Sequence, residues 1–440
     1  MILDQKEKIA IFWYRRDLRL HDNAGLYHAL RSGLPVLPLF IFDTHILNKL
    51  GNKSDKRVTF IHTTMESLKE ELKKHGADVL VKYGAPEKMW EEVLSAYNVT
   101  EVYANHDYEP YATERDTTIK TLLHNNQIPF KTYKDQVVFE KTEILNGQNA
   151  PYTVFTPYSR AWREKCNTFF LSSYPTVQYL GKLAKTDELP FPSLKSMGFE
   201  HSGSTFPSEN VPDQLLKKYE EQRNYPALKG TSRLGIHLRF GTVSIRELAR
   251  RAFENSNTWL NELIWRDFYH QILWNFPHVG NGKAFRADYD RIRWRNNEHE
   301  FKCWCEGKTG YPLVDAGMHE LNETGFMHNR VRMVTASFLS KHLLIDWRWG
   351  EAYFAEKLLD YDLAANNGGW QWAAGSGTDA APYFRIFNPA AQASKFDPRG
   401  EYIKQWVPEL NSMNYPEPIV DHKMARERCL KAYKEALNKE

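Results

Sequence analysis

Residues 8–42, KIAIFWYRRDLRLHDNAGLYHALRSGLPVLPLFIF, contain the pattern that decides the fold of the first part of the chain. The apolar run Lys8–Trp13 predicts a strand, and Val36–Phe42 predicts a second, buried strand. Between them, Asp22 or Asn23 can cap a helix, because their short polar side chains accept hydrogen bonds from the first turn. A strand, a helix and a second strand in this order are the unit from which parallel sheets are built.

The same alternation continues to about residue 130. Helical spacing predicts helices at Arg57–His75 and Pro86–Tyr97, and short apolar runs predict strands at Asp78–Val81 and Glu101–Ala104. This order predicts an α/β domain with a Rossmann-like parallel sheet and helices on both faces. The turn after the first strand reads RRDLR and lacks the glycine fingerprint, which disfavours dinucleotide binding in the usual mode of that fold.

After residue 130 the sequence pattern changes twice, first in composition and then in the spacing of its apolar residues. Residues 131–205 accumulate Pro, Ser, Thr and Gly, which predicts a connector along the surface, and later residues show helical spacing with almost no alternation typical of strands. We therefore expect an α/β domain at 1–130, a connector at 131–205 and an all-α domain at 206–440. A chain of 440 residues is long enough for this organisation.

Composition narrows the class of protein. The net charge of +3 is too small to indicate a nucleic-acid partner by itself. The four cysteines include no C-x-x-C pair, so we expect free thiols in a reducing compartment and no metal site. The longest apolar run, Leu34–Phe42, is too short to cross a bilayer, so we expect a cytoplasmic protein with no membrane partner. Ten of the 13 tryptophans lie between Trp259 and Trp406, which indicates either large cores or a site that stacks on flat rings.

One predicted helix combines an apolar stripe with a chemically distinctive one. In Thr258–Asn275, TWLNELIWRDFYHQILWN, the residues Glu262, Trp265 and Tyr269 share a face. A carboxyl group beside an indole can contact a substrate. The alternative is a solvated face on which Glu262 pairs with Arg266 at i+4.

Three further stretches carry polar groups in unusual density. Asp360–Trp372, DYDLAANNGGWQW, predicts an irregular segment, because its glycines allow close backbone approach and its amides can hold a polar heteroaromatic ring. Gly230–Leu234, GTSRL, can cradle phosphates at a helix start, although a simple helix cap is the commoner explanation of such a stretch. The third, His328–Met333, HNRVRM, predicts the start of a helix that runs to Trp347, with solvated arginines as the ordinary alternative.

These segments, with WYRRDLRLHDN at 13–23, GFMHNRVRM at 325–333 and DYDLAANNGGWQWAAGSGTDAAPYFRIFNP at 360–389, resemble the cryptochrome/photolyase family over nearly the whole chain. The likeness is greatest to class I cyclobutane pyrimidine dimer photolyases of bacterial type. The resemblance implies FAD in a folded conformation within the helical domain, with Arg332 paired to Asp360 and Asn366 opposite flavin N5. Gly235 stands where the family commonly has serine. The cofactor-binding residues implied are Tyr219, Thr231, Ser232, Arg233, Leu234, Gly235, Trp259, Arg332, Asp360, Tyr361, Asp362 and Asn366.

The resemblance further implies a lyase that repairs pyrimidine dimers in ultraviolet-damaged DNA by light-driven electron transfer from reduced FAD to a flipped-out dimer. The catalytic residues implied are Glu262 and Asn366, with the electron-carrying tryptophans Trp294, Trp347 and Trp370. The residues implied to contact the dimer or DNA are Arg223, Glu262, Trp265, Asn329, Arg330, Met333, Trp372, Gln392 and Lys395. We expect a monomer.

Two alternatives remain at this point: a cryptochrome-type blue-light photoreceptor, and a light-independent flavoprotein or DNA-binding module on the same scaffold. The family often carries a second, antenna chromophore of folate or deazaflavin type in its α/β domain. Tyr111 and Ala112 stand where folate-binding relatives commonly have Asn and Glu, so the resemblance names no antenna chromophore for this chain.

Overall fold

The computed structural model describes residues 7–437, which divide into two compact units, each assembled from three stretches of chain. The first unit contains residues 7–140, 164–209 and 234–251, and the second contains 141–163, 210–233 and 252–437. Within the described residues, no helix is long and apolar enough to cross a membrane.

The first unit is built on a parallel sheet. Its strands are β1 (Lys8–Tyr14), β2 (Val36–Asp43), β3 (Leu80–Gly84), β4 (Asn98–Asn105) and β5 (Phe130–Tyr133). They pair in parallel in the order β3-β2-β1-β4-β5. β1 and β2 are nearly continuous apolar runs, as expected where helices cover both faces of a parallel sheet, whereas β4 and β5 also contain Thr, Glu and Lys. The predicted Rossmann-like α/β fold is confirmed.

The helices between these strands follow the predicted alternation. They are α1 (Ala24–Leu30), α2 (Thr44–Leu47), α3 (Lys56–Lys73), α4 (Pro86–Ala96) and α5 (Pro110–Asn125). Asn23 caps α1, since its side chain accepts a hydrogen bond from the Leu26 amide at 3.1 Å. Proline at the first turn of α4 and α5 begins those helices without losing an internal hydrogen bond.

Further helices follow the last strand. They are α6 (Phe155–Lys165), α7 (Asp213–Lys217), α8 (Tyr219–Gln222), α9 (Gly235–Phe240) and α10 (Ile245–Asn255). Short 3-10 turns lie at Thr176–Lys182 and Lys195–Met197. The stretch predicted as a connector therefore contains the helix α6, whose buried Trp162 donates a hydrogen bond from Nε1 to Asp267 at 2.9 Å.

The stretches of each unit interleave along the chain, whereas the sequence prediction used contiguous domains. The reason is visible in the first unit, where Arg246 forms ion pairs of 2.8 Å with both Asp22 and Asp135. Leu183 forms a parallel bridge with Val36 at the start of β2. Residues far along the chain thus complete the surroundings of the sheet. The domain limits 1–130, 131–205 and 206–440 remain a prediction.

The second unit is helical, as predicted for this part of the chain. Its remaining helices are α11 (Asn257–Asn275), α12 (Glu298–Glu306), α13 (Pro312–Thr324), α14 (Asn329–Ser337), α15 (Trp347–Lys357), α16 (Leu363–Ala374), α17 (Pro389–Phe396), α18 (Glu401–Trp406) and α19 (His422–Ala436). Trp304 and Trp370 lie in its core with ring centroids 6.0 Å apart.

The predicted continuous helix from His328 to Trp347 is wrong. The α-helix ends at Ser337, a π-helical turn spans Phe338–His342, and Leu344 has φ of +51°. A positive φ at a bulky residue cannot continue a helix. A new helix, α15, then begins after Asp346, whose side chain accepts from the Arg348 amide at 3.0 Å.

Candidate functional site

A cavity of about 380 Å³ opens between α11, α14 and α16 of the second unit. This volume lies within the range of small-molecule sites in proteins. Its lining residues are Arg223, Glu262, Trp265, Arg266, Tyr269, Asn329, Arg332, Met333, Ala336, Phe354, Leu358, Asp360, Tyr361, Asp362, Ala365, Asn366, Gly369, Trp370 and Trp372. The cavity therefore brings together members of the predicted cofactor set and members of the predicted substrate set.

Helix α11 supplies the acid and indole wall. Ser256 caps it by accepting from the Trp259 amide at 3.2 Å, which fixes the start of the helix. Glu262, Trp265 and Tyr269 all line the cavity, so the shared face predicted from their spacing is confirmed. The buried Leu260, Ile264 and Phe268 form the opposite stripe.

Phe155, which the sequence analysis missed, holds the Trp265 ring from behind. The two rings are stacked, with centroids 3.7 Å apart and an interplanar angle of 5°. Phe268 contacts both rings edge-on, at 5.9 Å from Phe155 and 5.5 Å from Trp265. One indole face is thus already covered by protein. No sequence signal marks Phe155, because it stands 110 residues before its partner.

The stretch Asp360–Trp372 was predicted to be irregular, and this prediction is wrong. Residues Leu363–Ala374 form α16, capped by Asp362, which accepts from the Ala365 amide at 3.3 Å. Gly368 and Gly369 lie within this helix, where their small size matters for packing and they form no turn. A Cβ on Gly368 would collide with the Tyr269 ring, whereas a Cβ on Gly369 would meet nothing within 4 Å. Gly368 therefore lets α16 approach α11, and Gly369 leaves room beside the cavity.

Two adjacent asparagines on α16 differ in their surroundings. Asn367 is buried and donates to the Glu351 carboxylate at 2.9 Å and to the Val279 carbonyl at 3.1 Å. Asn366 lines the cavity and donates from Nδ2 to the Glu351 backbone carbonyl at 3.1 Å. Burial raises the pKa of Glu351 to about 7, against the smaller lowering effect of its bond to Asn367. No sequence pattern marks Glu351, although this residue accepts hydrogen bonds from both amides.

Charged groups at the N-terminal end of α16 form the polar wall of the cavity. Arg332 donates from Nη2 to both oxygens of Asp360, at 3.2 and 2.9 Å, and from Nε to the Met327 carbonyl at 2.7 Å. The predicted pairing of Arg332 with Asp360 is present. His270 Nε2 lies 3.6 Å from Asp362 Oδ2.

The donor set and space of this cavity fit a flat, polar ring system such as a flavin. Two amide side chains and three carboxylates line it, and there is open space beside Gly369 on α16. A tricyclic ring with alternating hydrogen-bond donors and acceptors matches that mixture of amide and carboxylate groups.

Glu262 has a different partner from the one the sequence alternative suggested. Its Oε1 accepts a hydrogen bond from Arg223 Nη1 in an ion pair, and both residues line the cavity. Burial raises the pKa of Glu262 above its ordinary value, while the charge and hydrogen bond of Arg223 act in the opposite direction. Arg223 also lies over the Tyr219 ring, 5.7 Å from its centroid.

The residues predicted to hold the pyrophosphate lie outside the cavity lining. Arg233 adopts a φ of +53° and lies 4.3 Å from the centroid of Phe326. Arg332 lies at the same ring, at 5.7 Å. The Phe326 ring thus contacts both Arg233 and Arg332, and it lies in the quoted stretch GFMHNRVRM although no role was predicted for it.

The other predicted cofactor residues are placed as follows. Tyr219 and Trp259 are buried in the second unit. Thr231 and Ser232 are half-buried there. Leu234 is buried and Gly235 begins α9, both in the first unit.

The predicted electron-carrying tryptophans run from the cavity into the core. Trp370 lines the cavity and is buried, and Trp347 is buried in the same hydrophobic cluster. Trp294 is partly exposed, packs against this cluster and contacts Tyr433, with ring centroids 6.1 Å apart.

Several predicted DNA contacts lie beside the cavity rather than in it. Arg330 lies 4.3 Å and Lys395 5.3 Å from the Phe396 ring centroid, so one aromatic residue supports both cations. Arg330 also donates to Asn224 Oδ1 at 2.7 Å. Asn329 is exposed and lines the cavity, whereas Gln392 is half-buried on α17.

The candidate antenna region lies in the first unit. Tyr111 donates from its hydroxyl to Asp43 at the end of β2, and Ala112 is buried. At the neighbouring strand ends, Arg16 pairs with Asp107 at 3.1 Å and Glu109 at 3.0 Å. An antenna chromophore remains a prediction.

Comparison with known proteins gives a consistent result. Residues 10–178 match the family model described as DNA photolyase, and residues 259–414 match that of the FAD binding domain of DNA photolyase. The chain is 38% identical to a deoxyribodipyrimidine photo-lyase of Escherichia coli over 97% of this chain and 98% of that protein. It is 35% identical to one of Halobacterium salinarum, over 97% and 99%.

Solved structures agree with these sequence matches. A class III photolyase from Agrobacterium tumefaciens superposes with a TM-score of 0.86 at 32% identity, covering 99% of both chains. A cryptochrome from Synechocystis gives 0.80 at 26% identity, covering 98% of this chain and 100% of the other. The fold, the cavity and these matches together show that the chain belongs to the DNA photolyase family.

Proposed function

We propose that this protein is a deoxyribodipyrimidine photo-lyase, which repairs cyclobutane pyrimidine dimers in DNA with light and FAD. One observation carries this proposal. A single cavity is lined both by Asn366 and the Arg332–Asp360 pair, which suit a flavin, and by Glu262, Trp265 and Trp372, which suit a flipped-out pyrimidine dimer. Reduced FAD, when bound, supplies the light-excited electron donor that splits the cyclobutane ring without net redox change.

The cofactor-facing residues bind and orient. Asp360 is fixed by two hydrogen bonds from Arg332, and Asp362 is fixed as the cap of α16, so both carboxylates are held before any ligand binds. Asn366 donates one Nδ2 hydrogen to the Glu351 carbonyl, which leaves Oδ1 to accept from a protonated ring nitrogen and the second Nδ2 hydrogen to donate to an unprotonated one. An uncharged amide there tolerates more than one protonation state of the ring.

The substrate-facing residues receive a flipped-out lesion. Extrusion from the duplex costs less for a dimer than for normal bases, because its linked rings pair and stack poorly. Trp265 and Trp372 offer stacking faces, each worth about 1–3 kcal/mol per base. Met333 adds an adaptable apolar contact. Glu262, in its protonated form, donates a hydrogen bond to a carbonyl oxygen of the dimer.

The tryptophans Trp370, Trp347 and Trp294 give electrons a path from the protein surface to the cavity. Two of them are buried in one hydrophobic cluster and the third packs at its edge, which supports an ordered relay. Core packing is the ordinary role of a buried tryptophan, so a kinetic measurement is needed to separate the two roles.

DNA binding rests on cations in and beside the cavity. Arg223, Arg330 and Lys395, with the amides of Asn329 and Gln392, would contact backbone phosphates. Such contacts give salt-dependent binding without reading sequence, as repair at arbitrary sites requires. A monomeric state and a cytoplasmic location remain predictions.

The test compares light with darkness. Purified protein with reduced FAD is expected to restore thymines in an oligonucleotide that carries a cyclobutane dimer under blue light, and not in darkness. A matched oligonucleotide with a (6-4) lesion is expected to stay unrepaired. The similarity to a cryptochrome favours one alternative, a photoreceptor. Dimer binding without light-dependent repair would support that alternative and contradict the proposal.

A further inference from the structure

Glu262, proposed to contact the lesion, and Arg223, proposed to contact DNA, form an ion pair with each other. Arg223 follows α8 as its C-cap, and its Nη1 donates to Glu262 Oε1 on α11. About a third of each side chain is exposed, 28% for Arg223 and 32% for Glu262, and both line the same cavity. In this arrangement the guanidinium favours the ionised form of Glu262, and an ionised carboxylate cannot donate a hydrogen bond to a dimer carbonyl.

Within residues 7–437, the neighbouring Arg330 has no carboxylate partner of this kind that it would have to leave in order to bind DNA. Arg330 binds the neutral amide of Asn224 at 2.7 Å and lies over Phe396. The charge of Arg223, added to burial, lowers the pKa of Arg330, so the two guanidinium groups are close enough to interact. A DNA phosphate near Arg223 and Arg330 competes with Glu262 for Arg223. This competition is expected because a guanidinium group forms bidentate hydrogen bonds with phosphate and with carboxylate.

We propose that Arg223 exchanges Glu262 for a backbone phosphate when damaged DNA binds, and that the released Glu262 takes up a proton from solvent and becomes the hydrogen-bond donor to the dimer. This inference rests on the proposed function. Arg223 is then a positioning residue that makes Glu262 ready only when DNA is present, and one proton moves from water to the carboxylate for each complex formed.

The electrostatic surroundings of Glu262 support proton uptake. The groups that face it are Arg223 and Tyr219, Arg266 and Tyr269 on its own helix, and Arg332 paired with Asp360 across the cavity. Burial raises the pKa of Glu262, and Arg223 is the group that lowers it. Withdrawal of Arg223 therefore raises this pKa further. The complex holds more protons than the free protein, so binding weakens as the pH rises above the free-state pKa.

The test measures dissociation constants in darkness between pH 5.5 and 9, a range chosen because the free-state pKa lies above the ordinary 4.5. The FAD-loaded protein binds a labelled oligonucleotide with one cyclobutane dimer. For the wild type, the dissociation constant is expected to rise by up to about tenfold per pH unit within this range. Glu262→Gln has no carboxyl group to titrate, and in Arg223→Ala the Glu262 carboxyl group already lacks its cation before DNA binds, so both variants are expected to lose this slope.

Arg330→Ala is the matched control. Both arginine variants are expected to reduce the salt dependence of log K by about 0.9, the value for one phosphate contact. Only Arg330→Ala should keep the pH slope, since Arg330 binds a neutral amide in the free protein. Titration calorimetry of the wild type in buffers of different ionisation enthalpy counts the protons directly, even if a variant fails to fold.

A net uptake approaching one proton supports the exchange. Zero uptake by the wild type, or an unchanged pH slope in Glu262→Gln, would overturn it. Light-driven repair measured on the same wild-type sample separates the two proposals. Repair without proton uptake would contradict only the proposed exchange of Arg223, whereas absence of repair would contradict the proposed function.

Discussion

Phe155→Ala is expected to weaken binding of dimer-containing DNA although Phe155 does not line the cavity. The Phe155 ring lies 3.7 Å from Trp265 and within 5° of parallel, so it fixes the plane on which a flipped base would stack. An aromatic pair contributes about 0.5–1.5 kcal/mol beyond buried area. If that contribution holds Trp265 in its binding orientation, its loss raises the dissociation constant by about two- to twelvefold.

The assay is dark binding of a dimer oligonucleotide by the FAD-loaded protein, with Phe155→Ala placed also in a Trp265→Ala background. In that background the second substitution is expected to have no further effect, because Phe155 acts only through the indole. Phe253→Ala is the matched control. Phe253 stacks on Trp162 at 6.2 Å in the same unit, so its loss should leave dimer binding unchanged. Equal losses in both backgrounds would refute the positioning argument.

Three further predictions concern catalysis, photoreduction and stability. Glu262→Ala should lower the repair yield more than it lowers bound flavin, measured on one sample by thymine restoration and flavin absorbance; equal losses would indicate a structural role. Trp294→Phe should slow photoreduction of oxidised flavin at least severalfold yet spare repair by pre-reduced protein, and an unchanged flash-induced rate would count against the relay. Glu351 has a folded pKa of about 7 against 4.5 for an ordinary glutamate, so folding favours its protonated form. Stability should therefore fall by roughly 3 kcal/mol as the pH rises from 4.5 to 7. Glu351→Gln should abolish most of this dependence in denaturant titrations, and a wild-type profile in that variant would contradict the assignment.

The parallel sheet could be predicted from the sequence because its first two strands are apolar runs and the helix between them has a clear cap. Val36–Phe42 and Asn23 each carry a local signal of this kind, and the structure places β2 and the cap of α1 where that signal predicts. The interleaving of the two units has no such signal. It depends on Arg246 reaching Asp22 and Asp135, which are more than 100 residues away.

The sequence predicted many of the residues that line the cavity, but the local structure predicted for one of its segments was wrong. Glu262 and Trp265 were found from helical spacing, and Arg332 and Asp360 from the resemblance. The segment Asp360–Trp372 was wrongly predicted as irregular, because Gly368 reads as a helix breaker until its contact with Tyr269 is seen. The stacking of Phe155 on Trp265 depends on tertiary contact between distant residues, which no periodicity reports.

A single-flash experiment tests the central claim most directly. Protein carrying fully reduced FAD is saturated in darkness with an oligonucleotide that contains one cyclobutane thymine dimer, then excited once with blue light. The claim predicts that thymine absorbance recovers after the flash, that reduced flavin is regenerated, and that Trp265→Ala shows a smaller recovery at equal occupancy. Bound dimer that stays intact after flashes absorbed by the flavin would contradict it.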